Sequence, residues 1–433
     1  MQIFINPEKG IWPELIRRPA EEDESVLETV KSVLRDVQSR GDEALREYSQ
    51  KFDNFEAYDF KVSQDEINAS EGNISSELIS ALDLALKNIG KFHKSQEEKS
   101  IIVETSPGVR CWRSARAIEK IGLYIPSGSA PLFSTVLMLG VPAKIAGCSD
   151  IILCTPPYEN NLGLTIHPAI SYCCKLLGIS QVYALGGAQA IAAMAYGTAS
   201  VPKVNKIYGP GNRFVTAAKK LVSMQGISND IPAGPSELLV IADQTANPEF
   251  VACDLLSQLE HGEDSQVILL TNQKDFLDQI LSALDGQITR LDRQQIARTA
   301  LEKSNAIVFD SLQDAVAFSN CYAPEHLILA VREPHRVSEH IINAGSVFLG
   351  NFTPESAGDY ASGTNHTLPT RGFAATLSGV SLDSFVKKIT FQEISEQGLQ
   401  TIAGAVETMA EAESLDAHRE AGRIRLKRQN STF

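Results

Sequence analysis

Asp150-Ile-Ile-Leu-Cys-Thr155 is an apolar run closed by Pro156, and Gln181-Val-Tyr-Ala-Leu185 is another, closed by Gly186-Gly187. Short apolar runs that end in glycine or proline and lead into helical stretches are strand-turn-helix units. The runs at 206–208 and 238–241 repeat the pattern at the spacing that parallel strands with crossover helices require. A second series follows at 266–271, 306–309, 326–330 and 346–349, separated by helical segments such as 274–284. The chain is therefore expected to be α/β, with two domains built on open, mostly parallel sheets. Upstream, amphipathic patterning predicts helices over 24–52, with Val26, Val30, Val33 and Leu34 on one face, and over 75–93. Downstream, from about Leu382, Leu399, Ile402, Val406 and Met409 recur at helical spacing and predict a small helical tail.

A length of 433 residues suits two or three domains, and 43% hydrophobic with 21% charged residues is the composition of a globular chain. The net charge of -14 disfavours nucleic acid, because it repels phosphate. The basic stretch from Arg419 to Arg428 reads as cations opposing the negative end of a helix dipole. Residues 1–12 lack the pattern of a secretory signal, and the most apolar window, 136–142, is too short to span a membrane. The cytoplasm is the expected location. The seven cysteines include no C-x-x-C, so neither a disulfide framework nor a thiolate zinc knot is indicated.

Three segments carry candidate chemistry. Gln258 and His261 stand three apart near the end of a helix that Gly262 is expected to close, a spacing that presents two donors on one face. Residues 354–366 form a stretch of small polar residues, read as a loop, that holds Asp359 and His366. In Tyr322-Ala-Pro-Glu-His-Leu327 a carboxylate and an imidazole sit side by side just ahead of an apolar strand. A neutral histidine is a good general base at pH 7, and a neighbouring carboxylate can activate water. Each segment also has a bland reading, as a helix end, a polar loop or a strand start.

Seven motifs in order resemble the histidinol dehydrogenase family: Gly122-Leu-Tyr-Ile-Pro-Ser-Gly-Ser129, Gly186-Gly-Ala-Gln-Ala190, Tyr208-Gly-Pro-Gly-Asn212, Ala233-Gly-Pro-Ser-Glu237, Ser257-Gln-Leu-Glu-His-Gly262, Pro324-Glu-His-Leu327 and Ser356-Ala-Gly-Asp-Tyr-Ala-Ser-Gly-Thr-Asn-His366. They span almost the whole chain. The resemblance implies one zinc ion per subunit, held by Gln258, His261, Asp359 and His418. These are all nitrogen or oxygen donors, a set that suits a metal keeping open positions for substrate. It implies Glu325 and His326 as the catalytic pair, with Ser236, His366 and Glu413 touching substrate alongside His326 and the four metal ligands. Tyr124, Gln189 and Asn212 match positions that contact NAD, although Gly186-Gly187 lacks the full G-x-G-x-x-G fingerprint.

The implied reaction oxidises L-histidinol through L-histidinaldehyde to L-histidine with two NAD, in a homodimer whose C-terminal tails are exchanged. The expected organisation is two Rossmann-like domains: 24–123 with 237–381, bearing the zinc and catalytic residues, and 124–236, binding NAD. Residues 1–23 form an N-terminal segment and 382–433 the exchanged tail. Two rivals are a thiol nucleophile among Cys111, Cys148 and Cys154, and a non-catalytic binder of histidine-like ligands. No histidine adjoins those cysteines, and a pure binder has no need of Glu325-His326.

Overall fold

The computed structural model describes every residue except 19–23, 57–58, 128–130, 159–162, 164, 232–233 and 428–433. Gly128, Ser129 and Ala233 of the quoted motifs, and Arg428 of the basic stretch, lie outside the described residues. The chain divides into two compact units, Met1–Gln96 with Ile118–Phe385, and Glu97–Ala117 with Val386–Phe433.

The first unit contains two parallel sheets. The six-stranded sheet runs Gln2–Ile5, Asn305–Val308, Gln266–Thr271, Glu237–Ala242, His326–Ala330, Ser346–Leu349. The five-stranded sheet runs Gln181–Ala184, Asp150–Thr155, Lys120–Tyr124, Lys206–Tyr208, Ser228–Asn229. Every residue of Glu237–Ala242 and Gln266–Thr271 is buried. Parallel strands covered on both faces read as continuous apolar runs, which is why they were visible in the sequence. Strand 237–242 pairs with the second series rather than with 150–208, where the sequence pattern groups it; strand-turn-helix units look alike whichever sheet they join.

Leaving aside the edge strand Gln2–Ile5, both sheets have the same order, third-second-first-fourth-fifth along the chain. Each therefore has a switch point between its first and fourth strands, and it is at the carboxyl end of such a point that ligands of open α/β sheets collect. Helices Pro248–Leu259, Lys274–Ile288 and Gln294–Glu302 cover one face of the six-stranded sheet, and Trp12, Leu15 and helix Leu312–Tyr322 cover the other.

Helices Glu24–Arg40 and Ser76–Lys94 pack on the five-stranded sheet, not on the catalytic sheet to which the sequence reading assigns 24–123. An amphipathic stripe says that a face is covered, not by which sheet. The helix expected over 24–52 is two, Glu24–Arg40 and Asp42–Asp53, broken where Gly41 takes a φ of 56°.

In the second unit, Val386–Ile394 and Val103–Ser106 flank Val109–Ala117 in an antiparallel sheet, followed by helices Glu396–Ala412 and Asp416–Lys427. The C-terminal segment thus opens with a single 3-10 turn, Leu382–Phe385, and a nine-residue strand before its two α-helices. Val386, Ile389, Thr390, Phe391 and Ile394 favour that strand, and its partner lies far upstream in the chain. Among the described residues no helix is long and apolar enough to cross a membrane.

Candidate active site

Helix Leu312–Tyr322 ends on Ala323, whose φ of 51° is left-handed, and Pro324 then leads into Glu325 and the first strand residue, His326. Both side chains are buried. Glu237, which begins the neighbouring strand, reaches both with its main chain. Its N–H donates to Glu325 Oε2 at 2.9 Å, and its carbonyl lies 3.1 Å from His326 Nδ1. The His326 Nδ1–H therefore points at a carbonyl, leaving Nε2 bare; among the described residues no group bonds it. Burial pushes the His326 imidazole down to about 3, helped by His261 and His366, so the ring is neutral. Burial drives the Glu325 carboxyl well above its ordinary value, with Glu237 and Asp359 adding to the rise.

Gln258 sits in the last turn of helix Pro248–Leu259, fully buried, with neither amide atom hydrogen-bonded. His261 lies beyond that helix, which Glu260 rather than Gly262 ends, and its N–H reaches the Gln258 carbonyl at 3.3 Å. The pair is adjacent through a turn and not through a shared helix face. Asp359 belongs to a short helix, Glu355–Tyr360, where the sequence reading expected a loop. Its Oδ1 is 3.9 Å from His326 Nε2, and burial pushes its carboxyl up to about 7.

Glu355, one turn before Asp359, was not singled out from the sequence. It is 2% exposed, its Oε1 is 3.3 Å from His326 Nδ1, and neither carboxyl oxygen has a hydrogen-bond partner. The four-residue spacing to Asp359 was the available signal, hidden once the segment was read as a loop. Donor atoms of His326, Glu355 and Asp359 lie within 4.8 Å of one another. Asp254 adds a fourth acid, pushed up to about 7 by burial. Raised, buried carboxyls and a bare imidazole nitrogen, with an orphaned Gln258 amide on the helix that packs against Glu355–Tyr360, suit a cation, which would draw the carboxyls back to their charged forms.

His366 Nδ1 lies 3.0 Å from the Asp359 carbonyl, and its Nε2 is 3.2 Å from Thr135 Oγ1. Asn365 anchors this segment by donating to the Met138 carbonyl at 2.6 Å, as Asn88 does to Ala361 at 2.8 Å. Ser236 immediately precedes Glu237 and is half-buried. Glu413 and His418 belong to the second unit, exposed at the end of helix Glu396–Ala412 and in helix Asp416–Lys427.

The three residues expected to meet NAD all fall at the carboxyl edge of the five-stranded sheet. Tyr124 ends its first strand and accepts from the Gly187 N–H at 3.1 Å; Gln189, in the helix after 181–184, is 3.4 Å from Asp53. Asn212 caps helix Arg213–Ser223, accepting from the Phe214 and Val215 N–H groups at 3.0 and 3.1 Å. Gly209 turns there with a φ of 121°, and a Cβ would stand 2.0 Å from the Tyr124 carbonyl. All seven cysteines are free. Burial pushes the Cys148 thiol up to about 11 and Cys154 higher still, which leaves neither a ready nucleophile.

The sequence profile of the histidinol dehydrogenase family matches residues 16–426. A histidinol dehydrogenase of Bacteroides thetaiotaomicron is 54% identical over 98% of this chain and 99% of its own. That of Escherichia coli strain K12 is 52% identical over 95% and 94%. The crystal structure of histidinol dehydrogenase from Elizabethkingia anophelis is 56% identical, covers 100% of this chain and 99% of that one, and superposes with a TM-score of 0.97. The chain belongs to the histidinol dehydrogenase family of oxidoreductases.

Proposed function

We propose that the chain oxidises L-histidinol to L-histidine through L-histidinaldehyde, in two NAD-linked steps at a zinc-bearing site. The observation that carries this is the pairing of a neutral, bare His326 Nε2 with Glu325 beside buried groups that lack partners. Gln258, His261, Asp359 and His418 of the partner subunit would hold the metal, and the orphaned Gln258 amide is the local feature that fits it. When bound, zinc would hold the substrate through its imidazole and amino nitrogens, and NAD would take up a hydride at each oxidation.

His326 accepts the hydroxyl proton at Nε2 as hydride leaves the carbinol carbon, and gives that proton up to solvent before the second round. Glu325 removes a proton from the water that adds to the aldehyde and returns it to the former carbonyl oxygen, giving the diol; its raised pKa makes it the stronger base once ionised. His326 then takes a proton from the resulting diol as the second hydride leaves. Ser236, His366 and, from the partner's tail, Glu413 orient the substrate. Tyr124, Gln189 and Asn212 present the carboxyl edge of the five-stranded sheet to the dinucleotide.

Removing metal with a tight chelator should abolish histidinol oxidation, and added zinc should restore it. Undiminished turnover in metal-free protein would contradict the zinc part of this reading.

A further inference from the structure

We infer that Arg18, on the N-terminal arm, is a positioning residue for the Glu325–His326 pair and acts through Glu237. The inference rests on the reading of that pair given above. The main chain of Glu237 bonds the side chains of both members: N–H to Glu325 Oε2 and carbonyl to His326 Nδ1. Any rotation of that residue moves both contacts together.

The Glu237 side chain decides whether it rotates. Its carboxylate is 2% exposed, and Arg18 grips it with a two-pronged fork, Nε to Oε1 and Nη2 to Oε2, each at 2.9 Å. The Arg371 N–H adds a third bond to Oε1 at 2.7 Å. Arg18 is itself fixed: its guanidinium lies 3.9 Å from the centre of the Tyr322 ring, and Nη2 donates to the Tyr322 carbonyl at 2.6 Å. Tyr322 is the last residue of the helix that delivers Glu325 and His326. One guanidinium thus ties together the two segments that aim the pair.

The bond from His326 Nδ1 to the Glu237 carbonyl also selects the ring tautomer, because a proton on Nδ1 leaves Nε2 as the acceptor. Without Arg18 the buried Glu237 carboxylate keeps, among the described residues, only the Arg371 N–H, so the side chain has reason to swing toward water. The Glu237 carbonyl then no longer holds the ring.

The plain alternative is that the pair only staples the arm to the sheet. Other contacts already do that. Trp12 packs edge-on against Phe309 and Phe318, Asn305 donates to the Leu15 carbonyl at 3.0 Å, and Gln266 donates to the Arg17 carbonyl at 3.1 Å. The arm should therefore stay docked when the guanidinium is removed.

The test uses full-length protein loaded with zinc, assayed with NAD and L-histidinol. Arg18→Ala should lose about 100-fold in kcat, with the KM for histidinol within about twofold of wild type, because misplacement of the pair costs rate and not binding. Arg18→Lys, which keeps the charge but cannot fork, should lose roughly tenfold and serves if the alanine variant does not fold. A second readout is independent of turnover. In 15N-histidine-labelled protein, the His326 signals, identified by their absence in His326→Asn, should show Nδ1–H in wild type and a mixed tautomer in Arg18→Ala. Folded Arg18 variants with unchanged kcat and unchanged ring signals, only melting lower, would make Arg18 a structural clamp and overturn the inference. Wild-type protein that fails to oxidise histidinol would instead overturn the functional reading, while the ring signals still decide the role of Arg18.

Discussion

Glu325 and His326 owe their chemistry to where their hydrogen bonds go more than to what they are. His326 spends Nδ1 on a carbonyl and keeps Nε2 free, whereas Glu325 accepts the Glu237 N–H in a buried setting, near other carboxyls, that makes it reluctant to ionise. Glu325→Gln should slow oxidation of supplied aldehyde by about 100-fold while affecting histidinol oxidation less, and His326→Asn should slow both by roughly 100- to 10,000-fold. Single-turnover measurements from histidinol and from aldehyde separate the two steps, and equal effects of both variants on both steps would contradict the division of labour. A second residue-scale prediction concerns Asp53, whose carboxyl burial pushes up to about 6 beside the Gly186 turn. A folded pKa above the unfolded value of about 4 means that the folded protein binds the extra proton, so this group favours folding below pH 4 and loses that contribution as pH rises to about 6. Asp53→Asn should therefore gain melting temperature relative to wild type between pH 4 and 6 and keep the gain above it; parallel melting curves would refute this. The adjacent acid and imidazole were legible because they stand at the start of a recognisable strand. Glu355 and the Arg18–Glu237 pair were not, the first because its helix looked like a loop, the second because it joins residues 219 apart.

At the scale of elements, the turn from Tyr208 to Asn212 shows how the expected dinucleotide edge is held. Lys219, in the helix that follows, donates to the Gly209 carbonyl at 2.8 Å and pairs with Asp230, whose other oxygen accepts from the Gly209 N–H at 2.6 Å. Both side chains are almost fully buried, at 7% and 2% exposure. Lys219→Met would leave Asp230 buried and unpaired, so the variant should be less stable by about 3–5 kcal/mol and bind NAD more weakly. Chemical denaturation and calorimetric titration check the two effects; unchanged NAD affinity would show that the turn does not present the cofactor edge. Eight of the eleven parallel strands could be read directly, since burial on two faces leaves apolar runs; Lys120–Tyr124 was missed, as were the short, largely exposed edge strands Gln2–Ile5 and Ser228–Asn229. Strand 386–394 escaped because its partner strand is remote, and the break at Gly41 because glycine is tolerated in helical patterns until its φ is known.

At the scale of the whole molecule, the proposed site and cofactor edge would use two sheets of the same strand order from opposite ends. The five-stranded sheet offers its carboxyl edge, where Tyr124, Gln189 and Asn212 gather, and the six-stranded sheet offers its amino edge, where Glu237 and His326 begin their strands. The presence of two parallel sheets could be read from the sequence, but the pattern of runs alone did not show which sheet takes strand 237–242. The assignment of helices 24–94 to one of them could not, because their apolar stripes fit either. His418 and Glu413 lie in the other unit, and the proposed exchange of tails predicts complementation between subunits. Asp359→Ala and His418→Ala proteins should each be inactive, yet recover about a quarter of normal activity when unfolded and refolded together, since random mixing gives hybrids in which one site collects both defects and the other is intact. No recovery in proven hybrids would place His418 in the site of its own chain. The central claim, that one site carries the same substrate through two oxidations, is tested most directly by counting products with zinc, NAD and L-histidinol supplied to the wild-type protein: the account predicts two NADH for every L-histidine released with no free aldehyde accumulating, and one NADH per histidinol consumed, with aldehyde as the end product, would contradict it.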